Sequence, residues 1–360
     1  MTLRELELVD FRVFDAAALR PEEDGTTVIT GPNGTGKTSV LEAIAYLGSQ
    51  RSFRGSPRDA MVRTGAERAI VRAEWQGEDA PARVEAEIVS VGRSRTLVNH
   101  KEARTRKVLA HAAPCTVFSP DDLALVGGGP SLRRALLDHA LGLLDPQGAR
   151  AADDVERILR QRAALLRQAG GRLRPDVAAT LDVWDQRLAD AGKILVAARE
   201  GLVAALETSV TPAYARLAGT NDVAVAAQRY VRSWDGDLHD ALSAARGDDV
   251  RRGVNTVGPH RDDLLLTIEG RDARTHASQG EQRSLALALR IGVHALVVGR
   301  TGVVPTILLD DVFSELDPRR CRALVDLLPR GQAILTTAAP LPDGIAVARV
   351  LEVSDVRRSW

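Results

Sequence analysis

Lysine is nearly absent from this chain. Of its 48 cationic side chains, only Lys37, Lys101, Lys107 and Lys193 are lysines, so a lysine at a motif position is poorly explained by chance. Cysteine is scarcer still. Cys115 and Cys321 sit among apolar neighbours without metal-ligand spacing, which excludes a disulfide scaffold and a zinc ribbon. Aromatic residues make up 3% of the chain, which disfavours base stacking on single strands and favours backbone contact with duplex for any nucleic-acid partner. Net charge is zero, with 48 cations against 48 anions, so any surface for a polyanion has to be local. The first twenty residues carry charge throughout and lack the apolar region of a signal peptide. No apolar run is long enough to cross a bilayer, and no repeat or low-complexity linker interrupts the chain. These absences set the expectation of a soluble cytoplasmic protein with no membrane partner.

What is present centres on Gly31-Pro32-Asn33-Gly34-Thr35-Gly36-Lys37-Thr38, which fits G-x-x-x-x-G-K-[ST] at every fixed position. A β-branched run, Thr26 to Thr30, precedes it and reads as a buried strand. Ser39 to Leu47 follows, with Val40, Leu41, Ile44, Ala45 and Leu47 spaced for a helix. Strand, glycine loop and helix in this order form a phosphate cradle, because glycine lets several N–H groups point at one anion and the helix adds its positive end. Lys37 can then reach the β- and γ-phosphates, and Thr38 can offer its hydroxyl to Mg²⁺. The alternative is a chance glycine turn, which the rarity of lysine argues against.

Two further stretches carry chemistry. Ile307 to Asp311 (ILLDD) is an apolar strand ending in carboxylates. There Asp310 is expected to hold Mg²⁺, and Asp311 to orient and deprotonate an attacking water. Alone, the stretch also fits a plain strand and polar turn. Ser278 to Arg283 (SQGEQR) opens a helix, and Ser278 with Glu281 makes a capping box. Ser278, Gly280 and Glu281 also suit a second phosphate cradle, and one γ-phosphate needs two cradles only if two chains face each other.

Periodicity organises the rest. Leu3 to Phe11, Ala69 to Trp75, Arg83 to Ser90 and Arg95 to Val98 read as strands of an antiparallel sheet with one wet face. From Ser131 the pattern turns helical. Asp153 to Ala169 places Val155, Leu159, Arg162, Leu166 and Ala169 on one stripe. Gly170-Gly171 breaks that helix, and a second starts near Pro175 with a seam at Val177, Leu181, Trp184, Leu188, Ala191, Leu195, Ala198, Leu202 and Ala205. An antiparallel helical hairpin and an ordinary amphipathic bundle fit equally well. Val223 to Val231 reads as a weaker strand and Asp237 to Arg246 as a helix. Beyond them Leu264 to Ile268, Thr306 to Leu309, Ala333 to Thr336 and Val347 to Val353 read as strands alternating with helices, which predicts a parallel sheet. The expectation is an α/β fold in which both chain ends build one head and the helical middle is inserted into it.

Taken together, the glycine loop, SQGEQR and LLDDVFSELD (Leu308 to Asp317) resemble the ABC-type P-loop ATPase head of SMC-like proteins, with Ser314 to Asp317 as its D-loop. DFRVF at Asp10, SFRG at Ser52, GGGPSLRR at Gly127 and TVGPHRDDL at Thr256 resemble the recombination-mediator branch of that family. The resemblance covers essentially the whole chain. It implies a mixed head with an antiparallel β lobe (1–126 plus 255–360) and an inserted helical domain (127–254). It also implies ATP and Mg²⁺, a homodimer that closes on ATP, and a clamp on duplex or gapped DNA. Partners would be RecR and RecO, in DNA replication, repair and the SOS response, with weak, DNA-dependent hydrolysis. The implied catalytic residues are Lys37, Ser278 and Asp311, with nucleotide contacts from Gly31 through Ser39 and from Ser278, Gly280 and Glu281. Three departures stand out: Glu281 where glutamine is usual, Asp311 where glutamate is commoner, and Thr336-Thr337 where a switch histidine is usual; the shorter base and the missing switch fit slow turnover.

DNA candidates are Arg51, Arg54, Arg104, Arg106 and Lys107, with Arg58, Arg93, Arg95, Lys101, Arg133 and Arg134 behind them. A solvated charged face is the alternative for each. His260 and Arg261 lie in a Gly-Pro turn and are read as close to nucleotide or interface, against a satisfied turn histidine. A small-molecule phosphotransferase and a transporter ATPase subunit are the rival functions; SQGEQR argues against the first and the helical hairpin against the second.

Overall fold

The computed structural model describes residues 1–77, 80–103, 105–219 and 226–357. In chain order, β1 (Thr2–Phe11) turns into β2 (Phe14–Leu19), and β3 (Thr26–Thr30) enters α1 (Lys37–Ser49) through the glycine loop. β4 (Arg68–Gln76), β5 (Pro81–Val89), β6 (Arg95–Val98) and β7 (Lys101–Glu102) follow, then α2 (Arg106–Ala112), β8 (Cys115–Phe118), α3 (Leu123–Gly127) and α4 (Pro130–Leu144). Two long helices, α5 (Pro146–Gln168) and α6 (Pro175–Ala218), form an arm. After it come β9 (Ala226–Val231), α7 (Leu238–Arg252), β10 (Asp263–Ile268), β11 (Arg271–Asp272), α8 (Ala273–His276) and α9 (Gln279–Thr301). The last elements are β12 (Thr306–Asp310), α10 (Pro318–Leu327), β13 (Ala333–Thr337), β14 (Val347–Glu352) and α11 (Val353–Arg357).

A parallel sheet of order β14-β3-β13-β12-β8 joins the two ends of the chain. Strands β3, β13, β12 and β8 are buried on both faces, while β14 at the edge is largely exposed, and alternate residues of the buried strands feed different cores. Val28, Ile307, Leu309 and Leu335 meet the helical side, α4, α6 and α9. Ile29, Leu308 and Ile334 meet α1 and the antiparallel lobe. That lobe is a six-stranded sheet of order β2-β1-β4-β5-β6-β7. Gln332, itself buried, ties it to the parallel sheet: Nε2 donates to Leu3 O (2.7 Å) and Glu22 O (2.9 Å), and Oε1 accepts from Leu3 N (2.7 Å). Among the described helices, α9 alone has the length and mean hydropathy of a membrane span, yet Leu285, Leu289, Val293 and Val297 are buried in the core.

The expectation for Leu264 to Ile268 is corrected. β10 lies in a separate antiparallel sheet, β11-β10-β9, not in the parallel one. Its burial alternates, with Leu264, Leu266 and Ile268 inside and their neighbours half-exposed, which is the pattern of an antiparallel strand with one wet face. Of the expected strand Val223 to Val231, residues 223–225 lie outside the described residues.

The arm is a hairpin turned by Gly170 and Gly171 in the left-handed region (φ 58° and 78°), with Pro175 at the first helical position of α6. Half of the expected seam, Val177, Leu181, Leu188, Leu195 and Leu202, is buried as read. The other half falls one residue later, on Asp185, Gly192, Arg199 and Leu206 rather than Trp184, Ala191, Ala198 and Ala205. Gly192 is there because a Cβ would stand 2.5 Å from Leu238 Cδ2. Asp185 and Arg199 are there because they are paired. Arg162, fully buried, donates to Asp185 Oδ1 (2.7 Å), Asp249 Oδ2 (2.5 Å) and Asn255 Oδ1 (2.7 Å). Arg199 donates to both Asp138 carboxylate oxygens (2.9 and 3.0 Å) and to Pro259 O (2.8 Å).

Candidate nucleotide site

The glycine loop takes the shape its sequence calls for. Gly31, Gly34 and Gly36 have φ of 146°, 78° and 108°. A Cβ on Gly36 would lie 2.7 Å from Val13 Cγ2 and 2.8 Å from Phe14 Cζ, so the β1–β2 turn presses on the loop from outside, while a Cβ on Gly34 would meet nothing within 4 Å. α1 begins directly after Gly36 with no side-chain cap, which leaves its first N–H groups for an anion. Lys37 is buried, and its Nζ donates to Gly31 O (2.7 Å) and Pro32 O (3.0 Å).

The end of β12 meets the start of α1. Thr38 Oγ1 donates to Asp310 Oδ1 (2.8 Å), and Thr336 Oγ1 on β13 donates to the same oxygen (2.7 Å). Burial pushes the Asp310 carboxyl above its usual range, and the two hydroxyls and Arg54 oppose that shift. Asp310 Oδ2 carries no hydrogen bond among the described residues. One hydroxyl and one carboxylate in contact are hard oxygen donors of the type Mg²⁺ takes, so the residues fit the ion the motif implies. Asp311 follows in the left-handed region (φ 45°), a costly conformation for a non-glycine residue, and its Oδ1 is buried without a partner among the described residues. An orphaned buried carboxylate oxygen is expensive unless something in use fills the place beside it.

These groups line one cavity of about 580 Å³, with Asn33, Gly34, Gly36, Lys37, Thr38 and Ser39 on one wall and Asp310, Asp311 and Thr336 on another. Arg12, Val13, Arg54, Ala60, Val62 and Thr64 complete it. Sequence reasoning missed Arg12, Val13, Thr64 and Thr336 as site residues; DFRVF was the available signal for the first two. Arg12 is fixed by a bidentate pair to buried Glu42 (2.6 and 2.7 Å) and donates to Ala60 O (2.7 Å).

Ser278, Gly280 and Glu281 do not line this cavity. Ser278 is exposed at the N-terminus of α9, where its N–H and Oγ both donate to Glu281 Oε2 (2.8 and 2.7 Å) and its Oγ accepts from Glu281 N (3.3 Å). The bonds from Ser278 hold the Glu281 carboxyl below its usual range. Arg283 Nη1 donates to Glu315 O (2.5 Å), and Arg320 Nε donates to Ser284 Oγ (3.0 Å), so the start of α9 and the segment around Ser314 to Asp317 are joined side by side.

The basic candidates separate. Arg54 is on the cavity wall. Arg51 is exposed and pairs with Glu156 (3.6 Å), and Lys107 is exposed on α2. Arg104 lies outside the described residues, and Arg106 begins α2. On the antiparallel lobe Arg93 pairs with Glu102 (2.8 Å) and Arg95 with Glu87 (2.7 Å), which neutralises that face locally. Arg133 points inward: it is buried and bidentate to Asp263 (2.7 and 2.8 Å), and Arg134 donates to Asp262 O (2.6 Å). His260 and Arg261 lie at the base of the arm, not at the cavity. His260 Nε2 contacts Asn255 O (3.1 Å), Arg261 Nη2 donates to the same oxygen (2.9 Å), and burial pushes the His260 imidazole down to about 4.

The model of the RecF/RecN/SMC N-terminal domain matches residues 2–339. Proteins named DNA replication and repair protein RecF from Beutenbergia cavernae, Streptomyces avermitilis and Frankia alni are 39%, 40% and 42% identical. These alignments cover 94–95% of this chain and 93–95% of those proteins. A structure of the recombination mediator protein RecF-ATP in the RecFOR pathway superposes with a TM-score of 0.82 at 27% identity, covering 94% of this chain and 92% of that one. An Smc head bound to a ScpA winged-helix domain, at 17% identity and a TM-score of 0.54 over 98% of this chain and 94% of that one, shares the fold. With the ABC-type head, the two carboxylates behind the glycine loop and near-complete coverage by these relatives, the chain belongs to the RecF family, within the RecF/RecN/SMC group.

Proposed function

We propose that the cavity binds ATP with Mg²⁺ and that the chain is a slow ATPase which closes as a homodimer on DNA during recombinational repair. The observation that carries the reading is the convergence of Lys37, Thr38, Asp310 and the unpartnered Asp311 oxygen on one cavity. The glycine loop and the start of α1 take the phosphates, and Lys37 supplies the cation at the loop. Thr38 and Asp310 would hold Mg²⁺, which would supply charge neutralisation for the phosphates. Asp311 accepts the proton of a water whose oxygen attacks the γ-phosphorus, while the bond from phosphorus to the bridging oxygen breaks and ADP leaves with the electron pair. Arg54 lines the same cavity and adds positive charge beside the transferred group, while the charge of Arg12 is balanced by Glu42.

That Ser278, Gly280 and Glu281 stand away from the cavity of their own chain supports their use by a partner's γ-phosphate, hence a homodimer. The names of the relatives supply the pathway: DNA replication and repair, with the RecFOR pathway pointing to RecR and RecO as partners. Weak, DNA-dependent hydrolysis, a cytoplasmic location, and a head (1–126 plus 255–360) carrying a helical insertion (127–254) belong to the same proposal. Arg51, Lys107 and the start of α2 are candidate phosphate contacts. Lys37→Met tests the site. Titration calorimetry should show ATP binding lost, because the buried loop loses its cation; normal affinity would place the nucleotide elsewhere.

A further inference from the structure

The far end of the arm carries five arginines, two of which folding does not explain. Arg167 lies in the last turn of α5, Arg172 and Arg174 lie in the turn before α6, and Arg251 and Arg252 end α7. All five are exposed. They surround one small apolar cluster of Leu166, Ala169, Val177, Leu181 and Val250, and Gly253 lies against Arg167, so three segments bring them to one tip. Two carboxylates answer them: Asp176 to Arg174 (3.5 Å) and Asp248 to Arg251 (2.5 Å). Arg167, Arg172 and Arg252 have no ion pair among the described residues.

Arg167, Arg251 and Arg252 suit the fold, because cations in a last helical turn complement the negative end of the dipole. Arg172 and Arg174 do not. Arg174 is the N-cap position of α6 and Arg172 stands two residues earlier, so both add positive charge to the positive end of a 44-residue helix. A sequence selected for stability alone would place acids or a capping serine there. At about 1.5 Å per residue, α6 is about 66 Å long, and the tip shares no residue with the cavity.

We propose that the arm tip is a contact surface for the phosphate backbone of double-stranded DNA, distinct from the candidate contacts near α2. The inference rests on the DNA-binding reading above and adds where the arm engages. Guanidinium groups match phosphate geometry, and the absence of aromatic residues at the tip suits duplex backbone rather than stacked single strands.

The test uses the full chain with Mg²⁺ and a slowly hydrolysed ATP analogue, comparing wild type with Arg172→Gln/Arg174→Gln on a fluorescent duplex over a salt series. Two lost phosphate contacts should make the slope of log K against log salt shallower by about 1.8, so affinity falls about twelvefold less between 50 and 200 mM salt. Affinity at low salt should drop, while the thermal midpoint stays level or rises and ATP binding is unchanged. An unchanged isotherm and slope overturn the tip contact while leaving DNA binding elsewhere intact. A lowered thermal midpoint overturns it by showing that these arginines serve the fold. Unchanged DNA binding with lost retention on polyglutamate assigns the tip to an acidic protein surface and also overturns it. Wild type that shows no salt-dependent duplex binding removes the DNA reading itself, and the tip contact with it.

Discussion

Arg162→Met should cost this protein a large part of its stability without touching the nucleotide cavity. The side chain is fully buried and faces two fully buried carboxylates, Asp185 and Asp249, with Asn255 beside them. Removing one partner of a buried ion pair costs about 3–5 kcal/mol, because the remaining charge has no water. Asp185 keeps Arg246, whose Nη2 donates to its Oδ2 (2.7 Å). Among the described residues, Asp249 keeps only the N–H and hydroxyl of Thr256 (2.9 and 2.5 Å). The loss therefore falls mainly on Asp249, and the lower end, about 3 kcal/mol, is expected. With a urea slope near 3 kcal/mol/M, the unfolding midpoint should drop by about 1 M. Arg162→Met/Asp249→Asn should recover about half of that, because the stranded charge is gone. ATP affinity by calorimetry should be unchanged. A midpoint shift below about 0.3 M, or no recovery in the double variant, would refute the view that this ion network holds α5, α6 and α7 together.

Asp311→Asn should retain ATP affinity and lower steady-state turnover by about 10² or more, since an amide cannot take the proton from water; unchanged hydrolysis would place the base elsewhere. Half-buried His260 and fully buried His294 give a pH dependence. Burial pushes both His260 and His294 down to about 4 in the folded state, against about 6.5 unfolded, so between these values the unfolded chain binds the extra protons. Stability is therefore full above pH 6.5 and is lost as pH falls toward 4, by up to about 1.4 kcal/mol per unit for each histidine. His294→Phe should flatten that slope in urea titrations at pH 7, 6 and 5; an equal slope would mean that other groups control it.

The nucleotide loop was legible because it is local: a strand, eight residues and a helix carry the whole geometry, and Gly31 to Thr38 adopt it. Asp310 was legible for the same reason, as the last residue of an apolar strand. Arg12 and Thr336 were not, because their roles come from contacts between elements distant in sequence, such as the 26-residue separation of Thr336 and Asp310. The arm shows the limit of periodicity. A search for apolar residues at alternating steps of three and four finds Trp184, Ala191 and Ala198, whereas the buried positions are Asp185, Gly192 and Arg199. Burial of a paired charge inverts the rule on which the pattern rests. Likewise Arg133 in GGGPSLRR reads as a free cation until the fold brings Asp263, 130 residues away, to 2.7 Å.

The central claim is that one chain holds the nucleotide and another completes the site with Ser278. Sedimentation velocity with Mg²⁺ and a slowly hydrolysed ATP analogue tests it, run on wild type and Ser278→Arg. Ser278 lies outside its own cavity, so the variant should bind nucleotide with nearly unchanged affinity and lose about 1 kcal/mol of helix-cap stability. Wild type should shift from monomer to dimer on adding the analogue, and Ser278→Arg should stay monomeric at nucleotide saturation. A variant that still dimerises on nucleotide would contradict the shared site and leave Ser278 as a helix cap.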